Sequence, residues 1–148
     1  METKKVLNEL LVDLFYHILR LEEKNLKDNG VNLSMTEVHA IEAIKKVNFP
    51  SMSNVAKYLK VTVGTLTITI NRLVRKGYVE RYRNERDKRI IVLLLTEKGE
   101  EVFQIHEEFR ERMVDSLLSD LNVNDDKNLI KSLKNLQEFF NSLESKNY

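Results

Sequence analysis

The side chains best suited to chemistry gather in one short stretch. Between Thr62 and Arg75 stand four threonines, Thr62, Thr65, Thr67 and Thr69, with Gly64, Ile68, Asn71, Arg72 and Arg75 at helical spacing among them. Threonine hydroxyls can meet base edges or phosphate oxygens, and a Thr or Ile methyl can meet the methyl of thymine. Gly64 has no side chain, so the backbone there can approach a phosphate near the positive end of a helix dipole. Arg72 and Arg75 lie further along, where phosphates are the nearer partners. A second group, Arg86, Asp87, Lys88 and Arg89, suits a narrow minor groove or its phosphates. Asp87 alone would repel a polyanion, but it can pair with the Arg89 guanidinium two residues on and fix its direction. The bland alternative is an exposed ion pair worth about 0–1 kcal/mol.

Charge supports a polyanion partner. The 148 residues carry 24 Lys and Arg against 23 Asp and Glu, yet Lys60 to Arg89 holds nine bases and three acids, a net +6, leaving −5 for the rest. One basic segment on an acidic body points to a negatively charged partner for one face, although a solvated Arg-rich loop has the same composition. The length suits one domain, 1–148, with enough chain for a real core. The absence of cysteine excludes disulfide frameworks, thiolate metal sites and Cys nucleophiles. The longest apolar run, Ile90 to Leu95, is far short of a membrane span. No signal-like apolar stretch is visible at the N-terminus, so a soluble, cytoplasmic protein is expected.

These groups need elements to hold them. Val6, Leu7, Leu10, Leu11, Leu14, Phe15, Ile18 and Leu21 recur at three- and four-residue steps and predict a helix over Lys4–Asp28, stopped at Gly30. Ser34 with Glu37 predicts a capping box for a second helix, with Val38, Ile41, Ile44 and Val47 inward. Ser51 or Ser53 opens a short third helix. Thr62 to Tyr78 is rich in Thr and Ile and reads as a strand by propensity. Its spacing predicts a helix instead, with Val63, Leu66, Ile70, Leu73 and Val74 on the inner face and Gly77 beyond its end. Gly64, Thr65, Ile68, Arg72 and Arg75 then face outward, flanked by Thr67, Thr69 and Asn71. Tyr78–Arg83 and Arg89–Leu95 predict a hairpin with a charged tip. Thr96 caps a fifth helix to about Leu121, and Asn124 a sixth. The fold class is therefore mainly α with a small β-hairpin. Three short helices followed by a hairpin is the winged helix-turn-helix order, which lays its second turn helix in the major groove.

The stretch VTVGTLTITINRLVRKGYVERYRNERDKRIIVLLLTEKG resembles the DNA-binding core of MarR-type regulators. It matches in the recognition helix, in the Asp-x-Arg of the wing (Asp87, Arg89) and in the Leu-Thr-x-x-Gly that opens the next helix (Leu95, Thr96, Gly99). It is most similar to the FabT-like branch, which represses fatty-acid synthesis genes, through Val-Thr-x-Gly-Thr, Arg-Lys-Gly-Tyr and His39. The resemblance implies a winged core at 34–96. It also implies dimerisation helices at 1–29 and 97–148, and a homodimer on an inverted-repeat operator in double-stranded DNA. A monomer that folds these helices back as its own core remains the alternative. The branch further implies a corepressor, a long acyl chain on acyl carrier protein. Phe15, Ile18, Val38, His39, Ile41, Phe103, His106, Phe109 and Met113 would lie at its pocket, and chain length would tune binding at about 0.8 kcal/mol per buried methylene. The same residues could simply be core.

Other chemistry finds little footing. The family includes zinc sensors with paired histidines one turn apart, but here His106 is followed four residues later by Arg110. Glu37, His39 and His106 could still gather, yet no metal or other cofactor is expected. No Gly-rich phosphate loop appears, and Ser, His and Asp stand in no pairable order, so an enzyme is not expected. The alternatives are a MarR-type regulator that responds to another small ligand or to zinc and, more distantly, a helical protein-interaction module that ignores DNA at any salt concentration.

Overall fold

Ser34 opens its helix as the capping box predicts. Its Oγ accepts from the Glu37 N–H at 3.2 Å, and Glu37 Oε1 accepts from the Ser34 N–H at 3.2 Å. The computed structural model describes residues 2–121 and 126–146. These fall into two compact units, one up to Phe109 and one from Arg110 on.

In the first unit the N-terminal rod comprises α1 (Glu2–Asn8), a π-helical segment (Glu9–Asp13) and α2 (Leu14–Asp28). The expected single α-helix is thus interrupted. Four-residue apolar steps suit the wider π winding as well as the α winding, so the pattern does not separate them. Gly30, at φ +77°, ends the rod. α3 (Met35–Lys46) follows, then α4 (Met52–Leu59), capped by Ser51, whose Oγ accepts from the Asn54 N–H at 3.1 Å; Ser53 is not the cap.

Despite its Thr and Ile content, the next segment is helix α5 (Val63–Arg75). Thr62 caps it, accepting from the Thr65 N–H at 3.1 Å, and Gly77 follows at φ +84°. The helix stops at Arg75 rather than Tyr78. Strands β1 (Val79–Arg83) and β2 (Ile91–Leu95) pair antiparallel, with Val79 opposite Leu95 and Arg83 opposite Ile91. β2 is shorter than expected. It is also tied to the turn before α4: the Leu93 N–H donates to the Pro50 carbonyl at 2.8 Å, and Ser51 bridges Val92.

α6 (Glu97–Leu121) begins where Thr96 caps it. The Thr96 hydroxyl also donates to the Gly77 carbonyl at 2.6 Å, locking the start of α6 to the end of α5. A Cβ on Gly99 would lie 2.2 Å from the Tyr78 carbonyl oxygen. Only glycine permits this approach, which explains Leu-Thr-x-x-Gly as a packing motif. In the second unit α7 (Lys127–Ser145) is capped by Asp126, which accepts from the Leu129 N–H at 3.0 Å. The cap expected at Asn124 lies outside the described residues.

The core joins α3, α4, α5, the hairpin and the start of α6 through Val38, Ile41, Val55, Leu66, Ile70, Leu73, Val79, Leu93 and Val102. Two residues of α5 depart from expectation. Val63 is exposed and Thr69 is buried at 8% exposure. At roughly 100° per residue the buried arc centres between Leu66 and Leu73; Thr69 falls about 50° from that centre and Val63 about 70°. Residue type places Val63 on the inner face, whereas the true arc is rotated toward Thr69.

Glu37 ties α3 to the end of α5. The Lys76 ammonium donates to its carboxylate at 3.0 and 3.2 Å. Burial pushes the Glu37 carboxyl up, but hydrogen bonds from Lys76 and from the Ser34 N–H and hydroxyl outweigh it and hold the pKa below the ordinary carboxylate range. A group depressed in the folded state contributes stability that is full above its unfolded pKa and fades as pH falls through the folded one. Melting temperature of the wild type should therefore fall more steeply in acid than that of Glu37→Gln. Parallel melting curves of the two proteins from neutral pH down through the carboxylate range would contradict the assignment.

The apolar stripe of the rod packs on little in its own unit. Leu7, Leu10, Leu11, Leu14, Phe15 and Leu21 are exposed, and only Glu22 and Leu26 of α1 and α2 are buried. In the second unit Ile130, Leu133, Phe139, Phe140 and Leu143 of α7 are likewise exposed. Among the described residues no helix is long and apolar enough to cross a membrane.

Candidate nucleic-acid interface

With Leu66, Ile70 and Leu73 inward, the opposite face of α5 carries a row one turn apart: Gly64, Ile68, Asn71 and Arg75, all exposed. Thr65 and Arg72 flank it on one side and the half-buried Thr67 on the other. Asn71 therefore belongs to the centre of the outward face rather than its margin. Thr69 does not belong to that face at all, because its side chain is buried.

The threonines divide by what their hydroxyls already do. Thr62 caps the helix and donates to Thr65 Oγ1 at 2.9 Å. Thr67 donates to the Val63 carbonyl at 2.7 Å, so its hydroxyl can only accept from a partner. Thr65 accepts from Thr62 and keeps its own hydrogen to donate. Gly64 has open space: a Cβ there would meet only Thr62 Oγ1, at 3.9 Å.

The wing is built to aim one guanidinium. Asn84 Oδ1 accepts from the N–H groups of Arg86 and Asp87 at 2.9 and 3.1 Å, folding the tip, and Asn84 N–H donates to the Ile90 carbonyl at 2.9 Å. Arg83 donates to the Lys88 carbonyl at 3.3 Å. Asp87 then holds Arg89 by two parallel bonds, Nε to Oδ1 and Nη2 to Oδ2, each 3.0 Å, and takes the Arg89 N–H at 3.1 Å. The guanidinium, followed by the Arg89 N–H, keeps the Asp87 carboxyl below the usual carboxylate range. The pair leaves the Arg89 side chain 91% exposed, so it is directed without being covered. Arg86 and Lys88 are exposed beside it.

Three supports were not among the residues expected from the sequence. Arg81 of β1 donates through Nη1 to Asn71 Oδ1, bracing the wing against α5. Lys98 donates to the Lys76 carbonyl at 3.0 Å and lies 4.2 Å from the Tyr78 ring centre, fixing α6 to the same corner. Asn84 folds the wing tip as just described. Arg81 and Lys98 read as two more surface cations, and only the register places them. An Asn at the start of a polar turn is a recognisable Asx-turn signal for Asn84.

The residues expected at an effector pocket are scattered in environment. Val38 and Ile41 are core residues, each 1% exposed, and Phe103 is partly buried against the core. Phe15 is exposed on the rod, while Ile18, His39 and Phe109 are half-buried. His106 is buried with Nε2 3.8 Å from Glu42. Met113 belongs to the second unit. Glu37 engages Ser34 and Lys76, and no group of three potential metal ligands occurs among the described residues.

With this geometry in place, the chain can be compared with known proteins. The sequence pattern of the MarR family matches residues 33–91, which span α3 to the start of β2. The crystal structure of Streptococcus pneumoniae FabT in complex with DNA superposes with a TM-score of 0.88 at 36% identity, covering 95% of this chain and 99% of that one. This chain belongs to the MarR family. Among curated MarR-type regulators it is 30% identical over 105 residues to SarZ of Staphylococcus haemolyticus, covering 70% of this chain and 67% of SarZ. It is 28% identical to BilQ of Clostridium symbiosum, covering 77% and 78%. Both relatives are HTH-type transcriptional regulators. Winged helix and hairpin order follow the MarR fold as the sequence implied.

Proposed function

We propose that this MarR-family regulator binds double-stranded DNA as a two-fold dimer, with α5 in the major groove and the Arg89 wing over the adjacent backbone or minor groove. The observation that carries the reading is the wing tip, where Asp87 grips Arg89 bidentately yet leaves it almost wholly exposed. An exposed ion pair adds little to stability, and this one holds an uncovered cation in a fixed direction. The exposed row Gly64, Ile68, Asn71 and Arg75 on a helix capped by Thr62 supplies the second contact surface.

Dimerisation is supported by the uncovered apolar stripes of the rod and of α7, taken separately. Contiguous apolar patches of this kind are rare on monomers. A two-fold pair of heads about 34 Å apart would read an inverted repeat. The finer reading is a repressor of fatty-acid synthesis genes, tightened by an acyl chain on acyl carrier protein. Its support is the likeness to FabT over nearly the whole chain.

A band-shift titration of genomic fragments across a salt series tests both levels. Binding should be tight at low salt, with log K falling steeply against log salt. Adding acyl carrier protein loaded with chains of rising length should tighten retardation progressively. Fragments left unretarded at low salt overturn the DNA reading; retardation indifferent to every acyl chain overturns only the fatty-acid branch.

A further inference from the structure

Asn71 stands at the centre of the outward row of α5, one turn beyond Ile68 and one before Arg75. A free asparagine offers an acceptor and two donors, the combination that reads adenine N7 and N6 together. Here one lone pair of that acceptor is taken, because Arg81 Nη1 donates to Asn71 Oδ1. A guanidinium has donors only, so the amide must turn its oxygen toward Arg81 and keep its Nδ2 hydrogens for a partner. The brace is firm at its base. Arg81 pairs in register with Leu93, which is fully buried and anchored to the Pro50 carbonyl at 2.8 Å. Arg81 also stays charged at every pH the fold survives.

We propose that Arg81 is a positioning residue that holds the Asn71 amide in one orientation, its oxygen on the guanidinium and its Nδ2 hydrogens directed at an acceptor of the DNA. The acceptors with this chemistry are guanine O6 and N7, adenine N7, thymine O4 and phosphate oxygens. The inference rests on the DNA-binding reading proposed above.

The test begins with selection of preferred duplexes from a random pool by the wild-type protein. N71A, R81A and the N71A/R81A double variant are then titrated on that duplex and on single-base-pair variants of it. R81M, which keeps the aliphatic stem, accompanies R81A, and thermal melts confirm that each is folded. N71A should weaken binding by about tenfold, and the Arg81 substitutions should have no further effect once Asn71 is gone. With Asn71 present, R81A and R81M should weaken binding toward the N71A level, because the amide is no longer held. If N71A flattens preference at one base pair, the acceptor is a base edge. If it weakens all duplexes equally while the coupling to Arg81 persists, the acceptor is a phosphate. Both results support the proposal. It is overturned if the Arg81 substitutions weaken every duplex equally with or without Asn71 and lower the salt slope by about one per head, since Arg81 then meets a phosphate itself. A wild-type protein that selects no duplex fails at the earlier step and overturns the DNA reading together with the inference.

Discussion

The double substitution Leu14→Glu, Phe15→Glu is expected to convert the protein to a monomer and to lower its affinity for an inverted repeat by about 10²–10⁴-fold. Leu14 is 55% and Phe15 58% exposed on the rod, and neither belongs to the core of the reading head. Charging them therefore leaves the winged core folded. What it removes is the apolar surface whose burial, at about 25 cal/mol per Å², drives association. Two heads on one duplex gain by effective concentration, because the second binds as part of the same molecule. A separated head should retain only weak, salt-sensitive affinity. Light scattering at micromolar concentration reads the first half of the expectation and a band shift the second. A variant that remains dimeric with undiminished binding would place the interface elsewhere. A wild-type monomer at that concentration would remove the dimer from the account.

The elements themselves were largely legible, and the reasons are local. Ser34 with Glu37, Thr62 three residues before Thr65, and Thr96 three before Gly99 are cap signals whose partners lie within one turn. They need no tertiary information. The Asp87–Arg89 pair was legible for the same reason, being two residues apart in a turn. What failed was the absolute rotation of a face. Periodicity gives angles between residues of α5, while the direction of the core is set by α3, α4 and the hairpin. Valine at position 63 drew the inner arc one way, and the neighbouring elements place it nearer Thr69. The same rotation carries Asn71 to the middle of the outward row.

Contacts made across long sequence separations were not legible either. Arg81 meeting Asn71 requires the twist and register of a hairpin formed after the helix. Lys76 meeting Glu37 joins residues 39 apart. Gly99 was visible as part of a motif but not as a cause; only the Tyr78 carbonyl, 2.2 Å from where its Cβ would stand, supplies one. Gly64 is the opposite case, since nothing inside the protein asks for glycine there.

That contrast yields the second large expectation: Gly64→Ala should leave stability unchanged or raised while weakening DNA binding by about 10–100-fold per head. Glycine in a helix costs up to about 1 kcal/mol relative to alanine. Gly64 lies in the first turn of α5, its φ is not positive, and an added Cβ would find only Thr62 Oγ1 at 3.9 Å. Neither strain nor crowding within the chain accounts for the residue. A close external approach would: a phosphate against the first N–H groups of the helix would leave no room for a methyl group. The magnitude follows from the loss of a hydrogen bond to a charged group, about 1.5–3 kcal/mol. Melting and band-shift measurements on one preparation separate the two effects. A variant that melts at or above the wild-type temperature yet binds poorly fits the close approach. One that binds as well as the wild type shows that no backbone group of the first turn touches the duplex, and α5 would then have to enter the groove by its middle, at Ile68 and Asn71, instead of by its tip.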